Sequence, residues 1–237
     1  MTIAATQELD RYYAHCLGCG PEDLNCGCLV VVGNTRIGTI VWAKAAPLVV
    51  FAFGKGESTV ISATPGLKPR IETALRHTFQ RQLNDAFCDL IENTVHLQAP
   101  SAVCFRGIRL YCDLTTFNDK STSSDLIVTT GDAHATELNE MWGGEVFGHL
   151  EDGQVVSWAA IKPLSEIAWD IRAETLPEYR GRGCAAGAVS AAVRYILSRG
   201  KIAAWACDRT NEASIKTARS VGFQEYVLEF GCVAEEQ

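Results

Sequence analysis

The chain has 237 residues, 47% of them hydrophobic and 21% charged, with a formal net charge of −7. This balance allows one large or two small cored domains and excludes collagen-like, coiled-coil and wholly disordered chains. No apolar run approaches the ~20 residues of a membrane span. Residues 1–13 also lack the basic-then-apolar order of a secretory signal, so a soluble, cytoplasmic protein without a membrane partner is expected.

A first amphipathic helix is expected from about Thr6 to Cys16, broken by Gly18, Gly20 and Pro21. Next come Cys16, Cys19, Cys26 and Cys28. Four thiolates could hold zinc, but the second pair is tight and no second knuckle follows. Without a signal segment, all ten cysteines read as reduced thiols and no metal is expected. Strand-like runs at Leu29–Val32 and Ile37–Trp42, split by the turn pair Gly33-Asn34, and at Leu48–Phe53 and Ser58–Ser62, read as a small antiparallel meander.

After Pro65-Gly66, apolar residues from Ile71 through Leu75, Phe79, Leu83 and Phe87 to Ile91 keep one stripe of helical period, which predicts a single long helix. A strand over Val103–Cys112 precedes the polar stretch 118–124, which reads as a linker. The expected division is therefore an N-terminal α+β domain over 1–120 and a second domain over 125–237. The second half is predicted as strand 126–130, helix 133–141, a hairpin over 145–161 turning at Asp152-Gly153, and strand 167–175. A glycine-rich loop follows, then helix 184–199, strand 202–207, helix 211–221 and strand 224–232.

The loop is Arg180-Gly181-Arg182-Gly183-Cys184-Ala185. At a helix N-terminus the first backbone N–H groups have no intrahelical partner, and the helix dipole adds positive potential. Glycines at 181 and 183 clear the approach of a phosphate, and Arg180 and Arg182 supply forked donors. Residues 125–237 carry the whole net charge, yet 172–219 hold nine Lys or Arg against four acids. A basic island in acidic surroundings suits a local anionic ligand rather than nucleic acid, though cations spread over solvated helix faces explain it equally. A mononucleotide loop would need Lys and then Ser or Thr after the glycines. A dinucleotide fingerprint fits Gly181, Gly183 and Ala186, with Asp208 for a ribose, but it should open the first βαβ unit, and here four strands from residue 126 onward precede it.

Arg180–Ala185 resembles the R/Q-x-x-G-x-G/A loop of the GNAT superfamily of acyl-CoA-dependent N-acetyltransferases, and Asn211-Glu212-Ala213-Ser214 with Gly222-Phe223 resembles its later signature. The resemblance covers about 125–237. It implies an α/β (α+β) fold with a mixed, mostly antiparallel sheet flanked by helices, preceded by a smaller N-terminal domain. It implies an enzyme using acetyl-CoA, with coenzyme A on Ala173, Thr175, Arg180, Gly181, Arg182, Gly183, Cys184, Ala185, Asn211 and Ser214. It also implies acetyl transfer to an amine of a small molecule or peptide; a non-catalytic acyl-CoA-binding module is the alternative. A homodimer is compatible with this reading, and the acidic surface favours a cationic acceptor. Base candidates are Asp170 and Glu174, which strand alternation puts on one face with Arg172, where an ion pair is the competing explanation. Many members carry a Tyr seven residues after the Asn as proton donor to the leaving thiolate; Ala218 stands there. The five tryptophans read as core or domain-interface residues rather than ligand-stacking groups.

Overall fold

The computed structural model describes residues 4–37, 47–78, 81–163 and 165–234. The chain forms two compact units, one of residues 1–108 with 226–237 and one of residues 109–225.

In the first unit, α1 (Ala5–Leu17) buries Leu9, Tyr13, Ala14 and Leu17, one helical face, and ends where Gly18 turns left-handed at φ 78°. Strands β1 (Leu29–Gly33), β2 (Leu48–Lys55) and β3 (Ser58–Ala63) follow. β2 and β3 form the expected hairpin, with Lys55 opposite Ser58 across Gly56. β1 instead pairs parallel to β3, so these strands are not a simple antiparallel meander. The predicted strand 37–42 lies outside the described residues beyond Ile37.

The stripe from Ile71 to Ile91 does not make one helix. It divides into α2 (Lys68–Leu75) and α3 (Asp85–His96). Asn84 stops the run: it is extended, and its side-chain oxygen accepts from Phe87 N at 3.0 Å, starting a new helix. Both helices still bury their apolar residues with Val50, Ile61 and Phe230 in one core. The strand order is β1-β3-β2-β10-β4, with β4 at Val103–Cys112 and β10 at Gln224–Val233. Asp10 is buried, and it accepts from Lys55 Nζ, Tyr226 Oη and Asn25 Nδ2 at 2.6–2.9 Å, so its charge is fully partnered.

The cysteines correct the expectation of ten thiols. Cys26 bonds to Cys28, and Cys104 on β4 to Cys232 on β10. The first bridge removes two of the four sulfurs of the N-terminal cluster. The second joins residues 128 apart in sequence, which only the strand order brings together.

In the second unit, strand order is β4-β9-β8-β7-β6-β5, from β5 (Asp125–Ile127), β6 (Val146–Glu151), β7 (Gln154–Lys162), β8 (Ala168–Thr175) and β9 (Ile202–Asp208). β5 to β8 pair antiparallel; β8 and β9 pair parallel. The β6–β7 turn is the Asp152-Gly153 pair, with φ of 50° and 80°. Helix α4 (Ala133–Trp142) packs with Val146, Trp158 and Ala160. Phe147, on the alternate face of β6, meets Tyr195 of α5 (Cys184–Ser198), so α4 and α5 cover opposite faces. Helix α6 (Glu212–Val221) ends at Gly222. The mixed, mostly antiparallel sheet flanked by helices is the fold class expected.

The polar stretch 118–124 is no free linker. Asn118 N donates to Val221 O, Lys120 N to Ser190 Oγ, and Thr122 N to Asp125 Oδ2, which fastens it to the second unit. Helix α5 crosses closely here: a Cβ on Gly187 would lie 2.6 Å from the Asp125 carboxylate.

Two outcomes are expected. Gly187→Ala should destabilise the protein by about 1–3 kcal/mol, because it overpacks a filled site, read as a lowered midpoint in denaturant. Thiol titration of unreduced, denatured protein should find six thiols, rising to ten after reduction.

Candidate functional site

β8 leaves the sheet through Leu176 and a short 3-10 turn, Pro177–Tyr179, before the loop enters α5. Gly181 and Gly183 have φ of 78° and 90°, backbone that L side chains rarely adopt. A Cβ at either position would meet nothing within 4 Å. Gly183 is the N-cap of α5 and has no side chain to offer its amides. By contrast Asn84, Asp132 and Asn211 each cap their helices with a side-chain oxygen on the third following N–H; α1 and α2 also lack such a cap. The start of α5 thus combines uncapped donors, the positive end of a 15-residue helix and an unobstructed approach.

The arginines are positioned but not aimed solely outward. Arg180 Nε donates to Thr175 O at 3.3 Å, bracing the loop against the end of β8. Arg182 reaches Glu151 Oε2 at 3.5 Å and lies over the Tyr179 ring at 5.0 Å. Cys184 is buried, with Sγ 3.5 Å from Glu151 Oε1. Burial first, and Glu151 second, push its thiol up from the usual value, so it stays protonated. Ala185 follows it in the first turn.

The second element of the site is a separation of strands. β8 and β9 pair only at Ala168↔Ile202, Trp169↔Ala203 and Asp170↔Ala204. β8 continues to Thr175 and β9 to Asp208 without further pairing between them, while the other edge of β8 stays bonded to β7 as far as Ser157↔Thr175. The backbone of residues 171–175 therefore presents an open edge to the gap. Ala173 and Thr175 lie on that stretch, and Thr175 Oγ1 is 2.8 Å from Ser157 Oγ. Across the gap, Asn211 caps α6 by accepting from Ser214 N at 3.1 Å, and Ser214 Oγ accepts from Trp205 Nε1 at 3.0 Å.

The predicted carboxylates part company. β7 pairing puts Asp170, Arg172 and Glu174 on one face, as alternation requires. Asp170, however, is 6% exposed and pairs with Arg109 of β4 (3.1 and 3.2 Å), not with Arg172. A carboxylate locked to a buried guanidinium is an anchor rather than a mobile base. Glu174 takes Arg172 Nε at 2.8 Å on one oxygen, and His134 Nε2 lies 3.1 Å from the other. Burial would raise its pKa, but the hydrogen bonds of Arg172 and His134 outweigh it and hold the carboxyl below its ordinary value.

His134, on the first turn of α4, is the residue that sequence reasoning missed. Its ring meets Trp158 edge-on, with centroids 5.0 Å apart, and Trp158 Nε1 donates to the α4 cap Asp132 at 2.9 Å. No local signal links residues 134 and 174. Ala218 is 0% exposed, so Tyr would not fit there without rearrangement. Trp158 and Trp205 are buried as expected, Trp142 and Trp169 only partly, and Trp42 is outside the described residues.

An uncapped glycine loop thus feeds a helix beside two parting parallel strands. The GNAT acetyltransferase family model matches residues 44–227, and the chain belongs to that family. The match begins well before residue 125, so family resemblance is not confined to the second half, and a separate N-terminal extra domain does not follow from it. The structure is similar to a GCN5-related N-acetyltransferase-like protein from Streptococcus suis, at 19% identity over 95% of this chain and 98% of that one, TM-score 0.50. A putative GNAT acetyltransferase from Novosphingobium aromaticivorans matches at 17% identity over 58% of this chain and 69% of its own, TM-score 0.48. A putative acetyltransferase from Salmonella typhimurium, solved with acetyl-CoA, matches at 18% identity over 43% and 70%, TM-score 0.33. No curated protein matches the sequence. Among the described residues, no helix is long and apolar enough to cross a membrane.

The lowered Glu174 pKa has a consequence for stability. A carboxyl that binds its proton less tightly when folded adds stability that is present above its unfolded value of 4.5 and lost as pH falls through the lower folded value. Glu174→Gln should therefore flatten the acid side of the melting temperature against pH, measured by calorimetry from pH 7 downward.

Proposed function

We propose that the protein transfers an acetyl group from acetyl-CoA to an amine of a small molecule or peptide. The observation that carries this reading is the separation of β8 from β9 in the stretch that leads through the loop to the uncapped start of α5. In this reading the amides of residues 181–185 hold the pyrophosphate, and Arg180 and Arg182 bound the cradle. The open edge of 171–175 bonds the pantetheine arm in place of the missing strand partner. Asn211 and Ser214 flank the arm from the start of α6.

The reaction forms a C–N bond and breaks the C–S bond, releasing a thiolate. N–H groups of 171–175 meet the negative charge that develops on the thioester oxygen. The amine must lose a proton to attack, and His134 is the acceptor, its ring held between Glu174 Oε2 at 3.1 Å from Nε2 and Glu137 Oε2 at 3.5 Å from Nδ1. Glu174, held ionised by Arg172, orients the ring and balances the imidazolium. Asp170 supports the strand through Arg109. With Ala218 buried, solvent protonates the thiolate.

A second reading is kept by that same alanine: a member that binds acyl-CoA without turnover. CoA binding by calorimetry with no acetylation of any member of an amine panel would select it.

Gly183→Glu should weaken CoA binding at least about tenfold, a step of about 1.4 kcal/mol, through like charge and a side chain at φ 90°. Unchanged affinity in a folded variant would remove the cradle assignment. His134→Ala should lower kcat about 100-fold with CoA affinity preserved; an unaltered kcat and pH profile would exclude His134 as proton acceptor.

A further inference from the structure

Three side chains of different ligand chemistry converge where β6 meets the start of α5. His149, Glu151 and Cys184 each offer one donor atom, and the three atoms lie within 4.8 Å of one another. His149 and Glu151 alternate onto one face of β6, and the Gly183 turn sets Cys184 as the first residue of α5 beside them. Cys184 Sγ is 3.5 Å from Glu151 Oε1. Bonds of about 2.0–2.3 Å to a tetrahedral zinc place neighbouring ligand atoms about 3.5 Å apart, so this pair already spans one edge of such a polyhedron.

The surroundings are built as metal sites are built. His149 Nδ1 is 2.7 Å from Asp125 Oδ1, and the Asp125 side chain is fully buried. Asp125 Oδ2 accepts from Thr122 N at 2.6 Å and Thr122 Oγ1 at 3.0 Å, and Gly187 leaves the room that the carboxylate occupies. A carboxylate on one ring nitrogen fixes the tautomer and turns the other nitrogen into a lone-pair donor. Glu151 Oε2 faces Arg182, which leaves Oε1 on the cysteine side. The other mixed group, Glu92, His96 and Cys104, lacks this capacity because the Cys104 sulfur is bonded to Cys232.

We propose that His149, Glu151 and Cys184 bind a divalent transition metal of the zinc type, with the fourth position left to water or an anion. Thiolate with imidazole and one carboxylate selects zinc over magnesium or calcium, which prefer oxygen ligands throughout. On binding, the Cys184 thiol releases its proton to solvent and an S–metal bond forms; nothing is oxidised. The site tethers β6 to the loop that precedes α5. It does not depend on the acetyl-CoA reading and can be tested without that ligand.

The test is a titration of chelator-treated full-length protein with Co²⁺, followed by absorption spectroscopy. A single equivalent should produce a thiolate-to-cobalt charge-transfer band with the intense visible bands of tetrahedral cobalt, and added Zn²⁺ should bleach both. Cys184→Ser should abolish the charge-transfer band, and His149→Gln and Glu151→Gln should each weaken binding at least about tenfold. A Cys16→Ser/Cys19→Ser variant should keep the full spectrum. Glu151 is partly exposed, so Glu151→Gln supplies the readout even if Cys184→Ser does not fold. No band in the parent protein, wild-type affinity in Glu151→Gln, a band that survives in folded Cys184→Ser, or its loss in the Cys16/Cys19 variant would each overturn the proposal.

Discussion

Main-chain hydrogen bonding is the constraint on which the site depends. A backbone donor out of reach of both water and a partner costs about as much as a lost hydrogen bond, and the fold supplies partners at most places where one could go missing. Asn84, Asp132 and Asn211 close the starts of α3, α4 and α6. The stretch 118–124 is bonded to the end of α6 and the middle of α5. Against that background two stretches stand out in the second unit: the first turn of α5 behind Gly183, and the β9-facing edge of β8 past Asp170. They adjoin in sequence through the same loop. Under the proposed function, a ligand with an extended polar arm and a diphosphate would satisfy both at once, because one offers a strand-like edge and the other an anion site.

What could be read in the sequence was local. The Asp152-Gly153 hairpin, the glycines at 181 and 183 and the Asn211 cap each depend on a few adjacent residues whose φ or side-chain reach is set by their own chemistry. The order of strands and helices in the second unit was legible for the same reason. The failures were of two kinds. At Asn84 the helical stripe was continuous across a cap, and the hydrophobic period outweighed a single polar residue that in fact ended one helix and began another. Elsewhere the missing information was long-range: β1 running parallel to β3, Cys104 meeting Cys232, Arg109 reaching Asp170 and His134 reaching Glu174. No spacing rule connects residues 134 and 174; only packing α4 on the β7 and β8 face does so.

The polar stretch 118–124 misled as a linker for a related reason. A run of Asn, Asp, Lys, Ser and Thr has linker composition, yet Asp119, Thr122 and Asp125 use polar groups of the same kind to close turns and to bind α5 through Arg194 and β6 through His149. Polar composition reports the capacity for hydrogen bonds without saying whether water or protein makes them. The chain also crosses between its units more than once, since β10 returns to β2, so a single cut in the sequence could not separate them.

The basic island at 172–219 shows how far charge counting carries. At least five of its nine cations pair with carboxylates: Arg172 with Glu174, Arg182 with Glu151, Arg194 with Asp119, Lys201 with Glu166 and Arg219 with Glu225. Four of those acids lie outside the island, so the excess of positive charge is largely neutralised in space although it is uncompensated in sequence. These pairs are exposed and each adds little stability, but together they withdraw the arginines as the main source of attraction for an anion. What remains at the cradle is the geometry of the backbone: two left-handed glycines, a first turn of α5 with no side-chain cap and the helix dipole behind it. Under the proposed function, anion recognition at this loop is a property of chain conformation first and of side-chain charge second, and glycine at 183 should matter more than arginine at 182.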